Sequence, residues 1–392
     1  MQTVKLQIKL SYLIILILTY SISLTFANAQ SAKPIPAVLE VPFAPIPVKA
    51  MNKVNLVYEL HITNFSQSNL VLTGVEVLAD DAPKTSLANY REAELLKRLV
   101  VINATTDSEE KNVIGGGHRA IVFLMISTDP SSLPKALTHR LFFKPIDANT
   151  DNKEQIIEGM RVTVQNAKPF VIGSPLRGRW LAGNGLSNDT GHRRSIIPID
   201  GKARIAQRFA TDWVKLGDDG LIARNDDLSK NANYYGYGAE ALAVANAVVV
   251  DVKDNIPENV PQTKVRAVPI TLETVAGNYV LLDIGGGHFA LYAHLQPQSL
   301  KVKIGDKVKL GQVLGLVGNS GNSDLPHLHF HIMDEASPLA AEGMPYVFKS
   351  FLMQGSVKSP LEVVKGGFKP DAKAESKRQM ELPIQNAVIV FQ

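Results

Sequence analysis

The stretch Pro326-His327-Leu328-His329-Phe330-His331-Ile332 alternates imidazole with apolar side chains. Successive side chains of a β-strand point to opposite faces, so His327, His329 and His331 fall on one side and Leu328, Phe330 and Ile332 on the other. The greasy side must pack into a core. The other side presents neighbouring imidazoles, a combination suited to zinc binding and proton transfer. A segment written this way belongs to a sheet, with one face covered and one face available for chemistry.

The rest of the 392-residue chain reads in the same period and is long enough for two or three domains. Val54, Leu56, Tyr58, Leu60 and Ile62 alternate with Asn55, Glu59, His61 and Thr63. Leu70–Leu78, Ile121–Ile126, Leu141–Phe143 and Arg161–Val164 read as further short strands, with one short helix over 91–99. This pattern predicts an immunoglobulin-like β-sandwich over about 35–165. Its histidines, His61, His118 and His139, have no clustered partners and read as surface or turn residues. A Gly-rich, polar stretch from 173 opens a second set of strands: Arg208–Val214, Ala241–Val252, Thr271–Glu273, Tyr279–Ile284, His288–Leu295, Val308–Leu316 and His327–Ile332. Gly285-Gly286-Gly287 marks a hairpin between two of them. The expected fold is mostly β, in four parts. Residues 1–29 are a signal peptide, 30–168 an accessory sandwich, 169–355 a second β-domain, and 356–392 a charged linker with a last strand. The accessory part reads as separable, so that a fragment from Phe170 should fold alone.

The leader assignment rests on order. Lys5 and Lys9 precede an apolar run from Leu10 to Phe26, and Ala27-Asn28-Ala29 follows, as in a secretory signal cut after Ala29. The formal charge of +4, less those two lysines, gives +2, too small a bias to argue for nucleic acid. No later stretch is apolar and long enough to span a bilayer, so no stable membrane insertion is expected after cleavage. The chain has no cysteine and therefore neither disulfides nor thiolate metal ligands. A periplasmic or secreted location is expected.

Three strands carry the candidate site. By period two, His288, Ala290, Tyr292 and His294 share a face. Asp212 stands on the strand that ends in Trp213, and His192 lies upstream in Thr190-Gly191-His192-Arg193-Arg194. Zinc accepts imidazole nitrogen and carboxylate oxygen, and a catalytic site keeps one position open for water. Two histidines and an aspartate fill three positions. Two more histidines can act on water and on a developing oxyanion. There is no His-Glu-x-x-His for a helix-based zinc site.

Over roughly 173–350 the chain resembles the lysostaphin-like (LytM-type) zinc endopeptidases. The resemblance lies in Gly277-Asn278-Tyr279-Val280-Leu281-Leu282-Asp283, Leu291-Tyr292-Ala293-His294-Leu295, Gly305-Asp306-Lys307-Val308, Gly311-Gln312-Val313-Leu314-Gly315 and Val317-Gly318-Asn319-Ser320-Gly321. It ends on His327-Leu328-His329. It implies zinc held by His192, Asp212 and His329, catalysis by His294 and His327, and peptidoglycan peptides as substrate. A non-catalytic relative that binds peptidoglycan or activates a separate amidase is the alternative. Two departures stand out. The family's first ligand lies four residues before the aspartate, where this chain has Arg208; His192 is read as its replacement, with Asp200 as a rival and loss of the ligand as the alternative. His331 stands where the family often has Glu, either orienting its neighbours or simply solvated. Arg193, Arg194 and Arg208 read as a basic rim, paired with substrate carboxylates or with Asp218, Asp219 and Asp226.

Overall fold

Alternating, β-branched sequence gives a mostly β molecule, here seen in a computed structural model that describes residues 35–81, 84–102, 111–145, 154–370 and 375–392. The apolar leader and its cleavage site lie outside the described residues. Among the described residues no helix is long and apolar enough to cross a membrane.

The N-terminal part is two antiparallel sheets. One runs Ala37–Glu40, Lys53–Asn64, Arg119–Thr128, Leu99–Val101, with Val48–Ala50 also paired to Lys53–Asn64. The other runs Gln155–Thr163, Ala136–Pro145, Leu70–Ala79, Thr85–Arg91, with Val113–Ile114 on the Leu70 strand. The sheets meet where the Tyr58 hydroxyl lies 2.9 Å from His139 Nε2. Glu92–Leu96 supplies the short helix.

Two histidines expected at the surface are inside. His61 is 6% and His139 0% exposed, and burial lowers the pKa of each to about 4. His139 lies between the two sheets against Tyr58; His61 is inside because the strand Lys53–Asn64 is buried on both faces from Asn55 to Ile62. Its partly polar face, read from sequence as a solvent face, is covered by the second half of the chain. Val57 joins a large core with Trp180, Trp213 and Phe330. Ile121 and Phe123 of the neighbouring strand pack on Ile205. Residues 37–392 thus form one compact unit.

The second half is an eleven-stranded sheet. Its spatial order is Phe170–Ile172, Tyr346–Ser356, Ala387–Phe391, Gly178–Gly183, Thr211–Lys215, Leu328–Met333, His288–Leu295, Asn278–Gly285, Ala247–Lys253 and Lys307–Val308, with Ser376–Glu381 paired to Tyr346–Ser356. All pairings are antiparallel except Phe170–Ile172 with Tyr346–Ser356. Gly285, Gly286 and Gly287 have φ of 85°, 66° and 74°, a run of left-handed backbone that glycine adopts without steric cost.

Several boundaries differ from the expected ones. Ala241–Val252 splits into Glu240–Leu242 and Ala247–Lys253. The strand expected over Arg208–Val214 starts at Thr211, and Arg208 sits in the turn before it. Thr271–Glu273 belongs to a turn segment. Val308–Leu316 splits into Lys307–Val308 and Val313–Leu316, interrupted by a turn at Gly311, whose φ is 79°. The expected charged linker from 356 contains a helix, Leu361–Lys365, and two strands. The last of these, Ala387–Phe391, lies inside the sheet between Tyr346–Ser356 and Gly178–Gly183.

Candidate metal centre

Sheet register sets most of the site. Gly183 pairs with Asp212, Asp212 with His329, and His329 with Ala293, a row running straight across four strands. Leu328, Phe330 and Ile332 face the core, as does Trp213. Asp212, His329 and His331 therefore point the other way, into a cleft of about 860 Å³. The alternation read from the sequence holds for this strand.

It fails for its neighbour. Ala290 and Tyr292 face the core, while Leu291 and Ala293 line the cleft. Strict period two would send His294 inward with Tyr292. Instead the pairing slips between Asn278 and Val280, and His294 adopts φ 63°. A non-glycine residue held in left-handed backbone is strained and needs its surroundings to enforce it. Here the slip turns His294 into the cleft beside His327, ring centroids 4.9 Å apart. His288, expected on the same face, lies on Phe170, away from the cluster.

His192 comes from outside the sheet, on the single helical turn Gly191–Arg194 capped by Thr190. Its Nε2 lies 3.3 Å from Asp212 Oδ2. One ligand atom each from His192, Asp212 and His329 falls within a 4.8 Å cluster. Asp200, the rival, is exposed at the turn between Ile197–Ile199 and Lys202–Arg204.

The hydrogen bonds select atoms. His192 Nδ1 donates to the Asn184 carbonyl (3.1 Å), His294 Nδ1 to that of Ser320 (2.8 Å) and His327 Nδ1 to that of Leu325 (2.8 Å). A carbonyl accepts only, so each of these Nδ1 atoms carries a proton, and a neutral ring keeps its lone pair on Nε2; His327 Nε2 lies 3.3 Å from Asp212 Oδ1. His329 Nδ1 lies 2.9 Å from Asp212 Oδ1, and its Nε2 lies 2.9 Å from His331 Nδ1. Asn184 also donates from Nδ2 to Asp212 Oδ2 at 2.9 Å. Asn184 was not singled out in the sequence. Its signal was present, since Gly183-Asn184-Gly185 is a turn triplet and Asn184 has φ 45°.

The electrostatics favour an anion among neutral imidazoles. Burial acts to raise the Asp212 pKa, yet the imidazoles of His192 and His327 hold it well below the carboxylate range. Burial lowers His192 to about 4, against the pull of Asp212. His294 and His331 are lowered by burial and then by neighbouring imidazoles. His327 is the exception. Burial opposes its protonation, but the charge of Asp212 and a hydrogen bond to it outweigh burial and raise its pKa. A carboxylate oxygen and two imidazole nitrogens clustered in this way are a donor set that fits a zinc ion. His331 is fully buried, which removes the solvated reading.

The expected basic rim is absent. Arg193 and Arg208 are 1% and 3% exposed, and they pair with Glu59 and Glu342, not with Asp218, Asp219 or Asp226. Arg194 stacks on Phe123 and donates to the carbonyls of Asn188 and Lys97.

Residues 234–341 match the peptidase family M23. The matched span contains His294, His327 and His329; His192 and Asp212 lie upstream of it. The glycyl-glycine endopeptidase ALE-1 of Staphylococcus capitis is 35% identical over 125 residues, 29% of this chain and 33% of that protein. The peptidoglycan DD-endopeptidase ShyA of Vibrio cholerae is 41% identical over 66 residues, 17% of this chain and 15% of that protein. The chain thus spans about a third or less of the length of these curated relatives. The solved catalytic domain of lysostaphin from Staphylococcus simulans is 20% identical and covers 43% of this chain and 88% of that one, with a TM-score of 0.23. Residues 234–341 thus form a peptidase family M23 domain, in a part of the chain that is similar to lysostaphin and to glycyl-glycine endopeptidase ALE-1.

Proposed function

We propose that the protein is a zinc-dependent endopeptidase that hydrolyses peptide bonds in the stems or cross-links of bacterial cell-wall peptidoglycan, acting outside the cytoplasm. His192 through Nε2, Asp212 through its carboxylate and His329 through Nδ1 would hold the ion. The observation that carries the reading is the division of labour among the histidines: two sit with Asp212 in the ligand cluster, and two more, His294 and His327, stand beside it.

Zinc at such a site supplies Lewis acidity to water and to the scissile carbonyl. The chain's own residues do the rest. His294, whose Nδ1 donates to the Ser320 carbonyl and leaves the lone pair on Nε2, takes the proton from water and returns it to the leaving amine. His327, 4.9 Å away ring to ring and favoured in its protonated form by Asp212, faces the developing oxyanion with its Nε2–H. Leu291, Ala293 and Leu325 wall the cleft and exclude water around the reacting bond.

The test is digestion of purified sacculi by the full protein with zinc, followed by separation of the released peptides. Loss of cross-linked peptides, blocked by a chelator and by His327→Ala, supports the reading. Intact sacculi, with a separate amidase stimulated equally by wild type and His327→Ala, would establish a non-catalytic activator instead.

A further inference from the structure

Three charged side chains are buried together, with a fourth partly buried, where the sandwich meets the peptidase sheet. Glu59, from the strand Lys53–Asn64, is 2% exposed. Its Oε1 pairs with Arg193 Nη1 and accepts from Arg208 Nε at 3.2 Å, and its Oε2 accepts from Arg208 Nη2 at 2.9 Å. Arg208 Nη1 reaches Glu342 Oε2 at 2.5 Å and the Gly343 carbonyl at 3.3 Å. Two carboxylates balance two guanidiniums. Buried charges persist only when paired in this way, and removing one leaves the others uncompensated.

Each arm of this cluster ends on a segment that delivers a ligand. Arg193 is the neighbour of His192. Arg208 ends the turn that leads into Asp212. Glu342 lies in the loop that folds back on the His329 strand, where Gly343 bridges to Met333 and Met344 N–H donates to the Ile332 carbonyl at 2.8 Å. The His192 turn needs such an anchor most. One helical turn is far too short to be stable alone. Arg193 holds it to the sandwich through the carbonyls of Tyr58 (2.9 Å) and Leu124 (3.4 Å), and Arg194 through that of Lys97.

We infer that Glu59 is a positioning residue for the metal site: by bridging Arg193 and Arg208 it fixes the segments carrying His192 and Asp212, so that the N-terminal sandwich sets the geometry of a site to which it gives no ligand. This rests on the zinc assignment above. It also explains Arg208, which stands where a ligand was expected and serves the site from behind.

The experiment uses full-length protein. Zinc affinity is measured by competition with a chromophoric chelator, ligand geometry from the visible spectrum of the cobalt(II) form, and fold by thermal unfolding of the metal-free protein. Glu59→Gln should weaken zinc about 10- to 100-fold, the range for losing a residue that orients a ligand, and shift the cobalt spectrum toward that of His192→Ala. Tyr58→Phe, which breaks the buried bond to His139 without touching the cluster, should lower the unfolding midpoint yet leave zinc affinity within about twofold. Wild-type affinity and spectrum in Glu59→Gln overturn the proposal. So does an equal loss of zinc in Tyr58→Phe, which would make the effect one of stability. If Glu59→Gln does not fold, Glu59→Asp decides: a weakened site in a folded protein supports the proposal and an unchanged site overturns it. Failure of the zinc assignment reads differently, because wild type would then bind no zinc or His329→Ala would keep it.

Discussion

His329 and His192 would serve one ion, yet they are held by different means. His329 lies in the middle of the sheet, opposite Asp212 on one side and Ala293 on the other. Its place follows from hydrogen-bond register, and core residues on both flanks lock it. His192 lies on a four-residue turn whose position depends on a cap, an Asn184 carbonyl and two arginines fixed to another sheet. A ligand set by register is robust to distant change. A ligand set by tertiary contact is only as fixed as the surface it is fastened to, and here that surface is the sandwich.

The strongest way to break this comparison is to remove the sandwich. A fragment starting at Phe170 would expose the core that Val57 covers and strand Arg193 and Arg208 without Glu59. Loss of one partner from a buried ion pair costs about 3–5 kcal/mol, a large part of the roughly 5–15 kcal/mol that stabilises a typical domain. The fragment is expected to be insoluble, or to unfold below about 40 °C and bind no zinc stoichiometrically. A soluble fragment with one tightly bound zinc would show that the peptidase half positions His192 by itself.

Smaller effects separate the ligands from the histidines beside them. His294→Ala and His327→Ala are each expected to keep zinc and to lower turnover by about a hundredfold or more, as for loss of a general base or an oxyanion donor. Metal analysis beside peptidase assays checks this. Loss of zinc from both variants would mean that the boundary between holding and catalysing lies elsewhere in the cluster. His294 tests a second point: its φ of 63° is costly for a side chain with a Cβ. His294→Gly should therefore unfold at a higher temperature than His294→Ala.

What was legible in the sequence follows the same line. His327, His329 and His331 could be placed because a uniform strand obeys period two, and Leu328, Phe330 and Ile332 announce which face is buried. His294 reaches the cleft through a register slip and a left-handed backbone, so its alternation with Tyr292 pointed to the wrong face; only the family resemblance singled it out. Arg193 and Arg208 were misread because a charge in a single sequence carries no sign of what lies opposite. Their partner Glu59 is 149 residues from Arg208. A local cue did exist, in that Glu59 stands in an otherwise apolar run, Leu56-Val57-Tyr58-Glu59-Leu60. A charge there needs a partner if both faces of the strand are covered, and nothing local shows that they are.

The smallest effect belongs to His331, and it sharpens the contrast on the register side. Zinc bound at Nδ1 of His329 would leave that ring's proton on Nε2, which lies 2.9 Å from His331 Nδ1. His331 accepts it and therefore carries its own proton on Nε2, a buried atom without a hydrogen-bond partner. The ring is thus held neutral and acts only as an acceptor, the part a carboxylate would play there. His331→Glu keeps an acceptor and is expected to bind zinc within about threefold of wild type. His331→Phe leaves the His329 N–H without an acceptor and should weaken zinc about tenfold, the low end for a partner that orients a ligand. Because sheet register still holds His329, the loss should be smaller than for Glu59→Gln. Chelator competition on the three proteins decides the order. A loss in His331→Phe as large as in Glu59→Gln would mean that the strand needs its own side-chain support as much as the turn does, and the contrast between the two ligands would fall.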